Sequence, residues 1–201
     1  MRAFLDFEAS SLADASYPIE VGWVFEDGRA ETHLIRPAPA WTDWDRDAER
    51  IHGISRTTLE TQGTAHEVVA QRMLATLSDH DVYASAPSWD GKWLSVLLRA
   101  AGLPRHAMRL KTTAEAKLAV ALEALAPVAP EDQAEALARA LITKAEAEWR
   151  GRRPGHRALA DARQELADWM EIRRRAEGEA RRLAGGGTCG GVEAGPQLWR
   201  P

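Results

Sequence analysis

The chain has 201 residues, enough for one domain with a substantial core, and its 30 acidic and 26 basic side chains leave a net charge of −4. That balance excludes the strongly basic surface with which proteins hold long tracts of duplex, although an enzyme gripping only a strand end needs few phosphate contacts. One cysteine, Cys189, excludes an intramolecular disulfide, and no apolar run approaches the roughly 20 residues of a membrane helix. The start at Met1 lacks the basic and apolar regions of a signal peptide, so a soluble protein of the reducing cytoplasm, without membrane contact, is expected.

Residues 2–7 read as a short strand packed on both faces. Residues 19–26 (IEVGWVFE) and 31–36 (ETHLIR) are further strands joined by the turn signal Asp27-Gly28, a hairpin. PAPAWTDW is a loop, and DRDAERIHGIS gives a short helix ending at Gly53. Apolar spacing at Val69, Met73 and Leu77 predicts a helix over 66–77, and the run DVYASA a strand after it. Residues 90–101 read as a helix stopped by Gly102 and Pro104. From Thr113 Ala-rich helix formers predominate, with a break at APVAPED and a second long helix to about Trp149. After the basic turn RGRRPGH comes a last helix whose apolar face is marked by Leu159, Leu166, Trp169 and Met170. The domain is expected to span residues 1–172. Residues 173–201, with charge runs and six glycines from Gly185 onward, are expected to form a flexible tail. Strands first, then mixed elements, then helices, predict a three-layered α/β domain.

Chemistry concentrates in FLDFEASSL. Side chains at i and i+2 of a strand share a face, so Asp6 and Glu8 point the same way and repel unless cations neutralise them. Taken alone, the pair reads as two strand-end acids paired with arginines, and a metal site needs further partners. Asp90 follows the strand DVYASA and reads by itself as a helix N-cap. Asp161 lies five residues after His156. Within one helix the two would stand about 140 degrees apart, but Pro154 and Gly155 place His156 ahead of the helix, free to lean over the surface that Asp161 faces.

FLDFEASSL, IHGIS, SWDGKWLSVLL and HRALADA, in this order across residues 2–171, resemble the four motifs of the DEDDh 3′-5′ exonucleases of the DnaQ-like, RNase H-like superfamily. The resemblance implies an RNase H-like three-layer α/β fold with a mixed sheet of about five strands. It implies metal ligands at Asp6, Glu8, Asp90 and Asp161, with His156 as general base. It also implies contacts to the terminal nucleotide from Ala9, Ser10 and a wedging Leu12, with His52 near the same pocket. Four carboxylates match the charge of two divalent ions, and hard oxygen donors without cysteine favour Mg²⁺ or Mn²⁺ over zinc. Two such ions about 3.5 to 4 Å apart activate a water and stabilise the leaving 3′ oxygen during phosphodiester hydrolysis. The expected substrate is a single-stranded or frayed 3′ end of RNA or DNA, and a homodimer is compatible with the superfamily. Two departures stand out: Ala86 replaces a common Asn and Trp89 a common Phe. They leave open a catalytically silent nucleic-acid-binding module of the same fold; a second alternative is a phosphodiesterase on dinucleotides, with the same site but a closed end to the groove.

Other signals carry less. Gly185, Gly187 and Gly190 form a literal G-x-G-x-x-G with no strand before it, and His66-Glu67 begins an H-E-x-x-H pattern that ends on Ala70. Trp41 and Trp44 are placed either to stack on bases or to cover the neighbouring helix, whereas Trp23, Trp89, Trp93 and Trp169 read as core. Arginines 150, 152, 153 and 173–175 flank the last helix, as phosphate attractors or as a solvated face.

Overall fold

A computed structural model of the chain describes residues 1–185. The first strand, β1 (Arg2–Ala9), pairs antiparallel with β2 (Pro18–Phe25), and β2 pairs antiparallel with β3 (Ala30–Arg36). The β2–β3 turn closes through Gly28, whose φ of 89° lies in the left-handed region that the Asp-Gly signal anticipates. Two short helices follow, α1 (Arg46–His52) and α2 (Arg56–Gln62), then the two-residue strand β4 (Thr64–Ala65) and helix α3 (His66–Leu77). Strand β5 (Asp81–Ala84) runs parallel to β1, helix α4 (Pro87–Ala100) crosses over, and β6 (Leu110–Thr112) pairs parallel with β5. Three helices end the described chain: α5 (Thr113–Leu125), α6 (Glu131–Trp149) and α7 (Ala158–Gly185). The sheet is six-stranded, ordered β4-β3-β2-β1-β5-β6.

The expected three-layered α/β fold with a mixed central sheet is present. Strands β4 and β6, and helix α2, were not expected; β4 and β6 have two and three residues, too short for a period-2 pattern to register. Alternation along β1 assigns its two faces. Ala3, Leu5, Phe7 and Ala9 enter the core shared with Val69, Met73 and Leu77 of α3 and Trp93, Leu94, Leu97 and Leu98 of α4. Phe4 faces the other way, into the core shared with α5, α6 and α7. Asp6 and Glu8 therefore lie on the α7 side of the sheet, beyond Phe4.

Helix α7 runs to Gly185, where residues 173–185 were expected to leave the body of the domain. Its inward stripe, Ala158, Ala162, Leu166, Trp169, Ile172 and Ala176, is fully or nearly fully buried. The charge run holds the helix rather than unravelling it: Arg173 pairs with Glu177 at 2.9 Å, Arg175 with Glu171 at 2.7 Å, and Arg175 reaches Glu148 of α6 at 2.6 Å. Met170, expected on the apolar face, is exposed. The glycine-rich stretch, with Cys189 and the G-x-G-x-x-G, lies almost wholly outside the described residues. Among those residues no helix is long and apolar enough to cross a membrane.

Candidate active site

Helix α7 reaches the acids of β1 because the neighbouring strand leaves room. In the β1–β2 register Asp6 stands opposite Gly22 and Glu8 opposite Glu20. A Cβ at position 22 would fall inside the van der Waals shell of the Leu159 backbone, so only glycine lets the first turn of α7 lie this close to the sheet. Glu20, 2% exposed, fixes the start of that turn. Its carboxylate accepts from the Ala158 N–H at 3.0 Å and from Arg157 Nε and Nη2 at 3.0 and 2.7 Å, an acid at a helix N-terminus joined to a two-pronged ion pair.

This docking brings Asp161 over β1. Carboxylate oxygens of Asp6, Glu8 and Asp161 lie within 4.8 Å of one another. Asp90 is 2% exposed beside them and exerts the largest charge effect on Asp6, but it stands outside the tight triad. It does not open its helix, as its reading in isolation had it. Helix α4 starts three residues earlier, at Pro87, and Asp90 sits in the first turn with its buried Oδ2 lacking a hydrogen-bond partner among the described residues.

The electrostatics show the strain. Burial, followed by the charges of Asp90, Glu8 and Asp161, pushes the Asp6 carboxyl up to about 9. Burial and the neighbouring Asp161 and Glu20 push Glu8 up to about 7 against the pull of Arg157. Burial raises Asp90 to about 7 although backbone hydrogen bonding opposes it. A fifth acid, Glu165, one helical turn beyond Asp161, is also raised by burial, and Lys117 at 3.8 Å offsets this in part. The spacing of Asp161 and Glu165 made Glu165 findable from sequence; Glu20 was signalled by a charge within the apolar run PIEVGW.

His156 precedes α7 in a non-glycine left-handed conformation, φ 51°. The loop is pinned because the Gly155 N–H donates to Asp161 Oδ1 at 2.6 Å. His156 lines a hollow of about 200 Å³ with Glu8, Ala9, Leu12, His52 and Trp93. Leu12, 71% exposed, and Ile51, 58% exposed, form its apolar rim. His52 is buried and its Nδ1 accepts from the Ile54 N–H at 3.0 Å, with burial lowering its pKa.

Ser10 does not line this hollow. Its N–H donates to the Tyr17 carbonyl, its carbonyl accepts from Asp45, and its hydroxyl donates to Asp43 at 3.0 Å, so both its backbone groups bond within the protein. Trp41 and Trp44 cover the body of the domain: Trp41 stacks on Tyr17 at 5.1 Å, and Trp44 donates to Glu49 at 2.7 Å. Trp23, Trp93 and Trp169 are core, while Trp89 is 38% exposed beside Asp90.

No protein-family model and no curated protein sequence matches the chain. Solved structures do. The chain is similar to the zinc-bound form of an E. coli exonuclease I complex with single-stranded DNA, with a TM-score of 0.59, 18% identity, and coverage of 92% of this chain and 42% of that one. It is similar to E. coli exonuclease I with a dT13 oligonucleotide, at a TM-score of 0.57 and 16% identity over 89% and 42% of the two chains. A product-bound exonuclease I gives a TM-score of 0.58 and 15% identity over 89% and 44%. The fold is that of these exonuclease structures. The chain spans less than half of their length, and at this identity the likeness establishes architecture, consistent with the expected RNase H-like class.

The donor set fits divalent cations. Five acids crowd together, their carboxyls mostly held above the ordinary range. Nearby, Arg157 is already paired with Glu20, and Lys117 stands between Glu165 and Glu146. The buried Asp90 Oδ2 adds an oxygen that nothing among the described residues satisfies. Hard oxygen donors of this kind suit Mg²⁺ or Mn²⁺.

Proposed function

We propose that the chain is a metal-dependent 3′-5′ exonuclease that releases nucleoside 5′-monophosphates from single-stranded or frayed 3′ ends of DNA or RNA. The convergence of Asp6, Glu8 and Asp161, with Asp90 buried beside them, carries this reading; the fold shared with exonuclease I structures supports it. Asp6, Glu8, Asp90 and Asp161 would hold two Mg²⁺ or Mn²⁺ ions, which when bound supply Lewis-acid stabilisation of charge at the phosphodiester.

The chain's own residues divide the remaining work. The apolar hollow rimmed by Leu12 and Ile51, and lined by Ala9 and His52, receives the terminal nucleoside and excludes water from it. Glu8 and His156 share that hollow, so a water attacking the terminal phosphate lies near an imidazole nitrogen of His156, which takes its proton. The Gly155 N–H bond to Asp161 and the Glu20 bonds at Arg157 and Ala158 hold the histidine loop against the acids.

A 5′-labelled 20-nucleotide single strand incubated with Mn²⁺ tests the reading. A ladder shortened one nucleotide at a time from the 3′ end is expected. Binding without shortening would favour the silent module, and cleavage confined to dinucleotides the phosphodiesterase.

A further inference from the structure

A second hollow, of about 270 Å³, also borders the acids and is lined by Asp6, Asp161, Glu165, Trp149, Arg152 and Arg153. The two hollows share no residue: Glu8 and His156 border the apolar one, Asp6 and Asp161 the polar one. If the terminal nucleoside occupies the apolar hollow, the rest of the strand leaves across the acids towards the polar one.

The arginines of the α6–α7 loop differ in availability. Arg157 is bound two-pronged to Glu20. Arg152 pairs with Asp168 at 2.8 Å and lies over the Trp149 ring at 5.1 Å. Arg153 lines the cleft, is exposed, and makes no hydrogen bond or ion pair among the described residues. Its backbone is nonetheless held on both sides. The Arg152 N–H donates to the Trp149 carbonyl at 3.0 Å, Pro154 restricts the chain, and the Gly155 N–H is fixed to Asp161. A free guanidinium on an anchored loop is a preorganised donor for a tetrahedral anion.

We propose that Arg153 binds the phosphate one step on the 5′ side of the scissile bond, and so determines the preference of the site for strands over minimal dinucleotides. This rests on the exonuclease reading above.

The test compares two dinucleotides, one ending in a 5′-hydroxyl and one in a 5′-phosphate; only the second carries the phosphate in question. The wild-type chain is expected to favour the 5′-phosphorylated dinucleotide about tenfold in kcat/KM, in line with one charge-assisted contact. Arg153→Gln should bring that ratio close to one, whereas Arg150→Gln, an exposed arginine that does not line the cleft, should keep it. A ratio unchanged in Arg153→Gln overturns the proposal. If the wild type hydrolyses neither dinucleotide nor longer strands, the exonuclease reading fails instead. The salt dependence of single-strand binding then judges Arg153 alone: Arg153→Gln should lower the slope of log K against log salt by about 0.7, and an unchanged slope overturns the proposal.

Discussion

Replacing Asp6 by Asn should stabilise the cation-free protein while abolishing its response to divalent ions. The Asp6 carboxyl rises from 3.8 to about 9, burial being the first cause and the neighbouring acids the second. Between these values the folded chain binds a proton that the unfolded chain has released, so without cations stability falls as pH rises through this window. At about 1.4 kcal/mol per pH unit, the span from 3.8 to pH 7 corresponds to about 4 kcal/mol held against folding. An Asn amide in the same place brings a donor to satisfy, at about 1–3 kcal/mol, leaving a net gain of about 2 kcal/mol. For a chain of this size that raises Tm by about 4–8 °C. Thermal melts in EDTA at pH 5 and pH 8, then with Mg²⁺, measure it. The wild type should melt lower at pH 8 than at pH 5 in EDTA and recover with Mg²⁺, while Asp6→Asn should show a flatter pH response and no recovery. A variant melting below the wild type in EDTA at pH 8, or a wild type growing more stable as pH rises without cations, would refute the reasoning.

Other substitutions separate chemistry from scaffold. His156→Ala should lower kcat on a single-stranded oligonucleotide by about 10²–10⁴-fold, with Mn²⁺ affinity by calorimetry close to wild type, because His156 borders the hollow without belonging to the acid triad. Gly22→Ala forces the Leu159 backbone away from β2 and should cost about 1–3 kcal/mol in denaturant melts; turnover should fall with it, since Asp161 rides on the same turn. Trp169→Ala removes a fully buried ring that packs on Phe4 at 5.8 Å and should cost about 3–5 kcal/mol in the same melts.

Asp6, Glu8 and Asp161, which the structure brings together, each sit in a short local pattern that the sequence displays. Period-2 spacing gave Asp6 and Glu8 a common face, and the Pro154-Gly155 break placed His156 ahead of its helix. What lies between these patterns was not legible. Gly22 and Glu20 act through the β1–β2 register and the docking of α7, which no single segment encodes. The start of α4 was misplaced because Ala86 provides no side-chain cap, so the aspartate three residues after Pro87 looked like the first capping group. The resemblance implied a nucleotide contact from Ser10, but Tyr17 in the turn from β1 to β2, and Asp43 and Asp45 ahead of α1, take up its backbone groups and hydroxyl, long-range partners that the local pattern does not display. The reach of α7 was hidden by its arginines and glutamates, whose i to i+4 pairing stabilises a helix as readily as an unpaired charge run dissolves one.

Calorimetric titration of the purified chain with Mn²⁺, counting ions bound, addresses the central claim most directly. Two ions per chain in the wild type, with binding lost in Asp161→Asn, is the expected result. No binding, or binding undiminished when that aspartate is neutralised, would mean that the acids do not act together as a cation site.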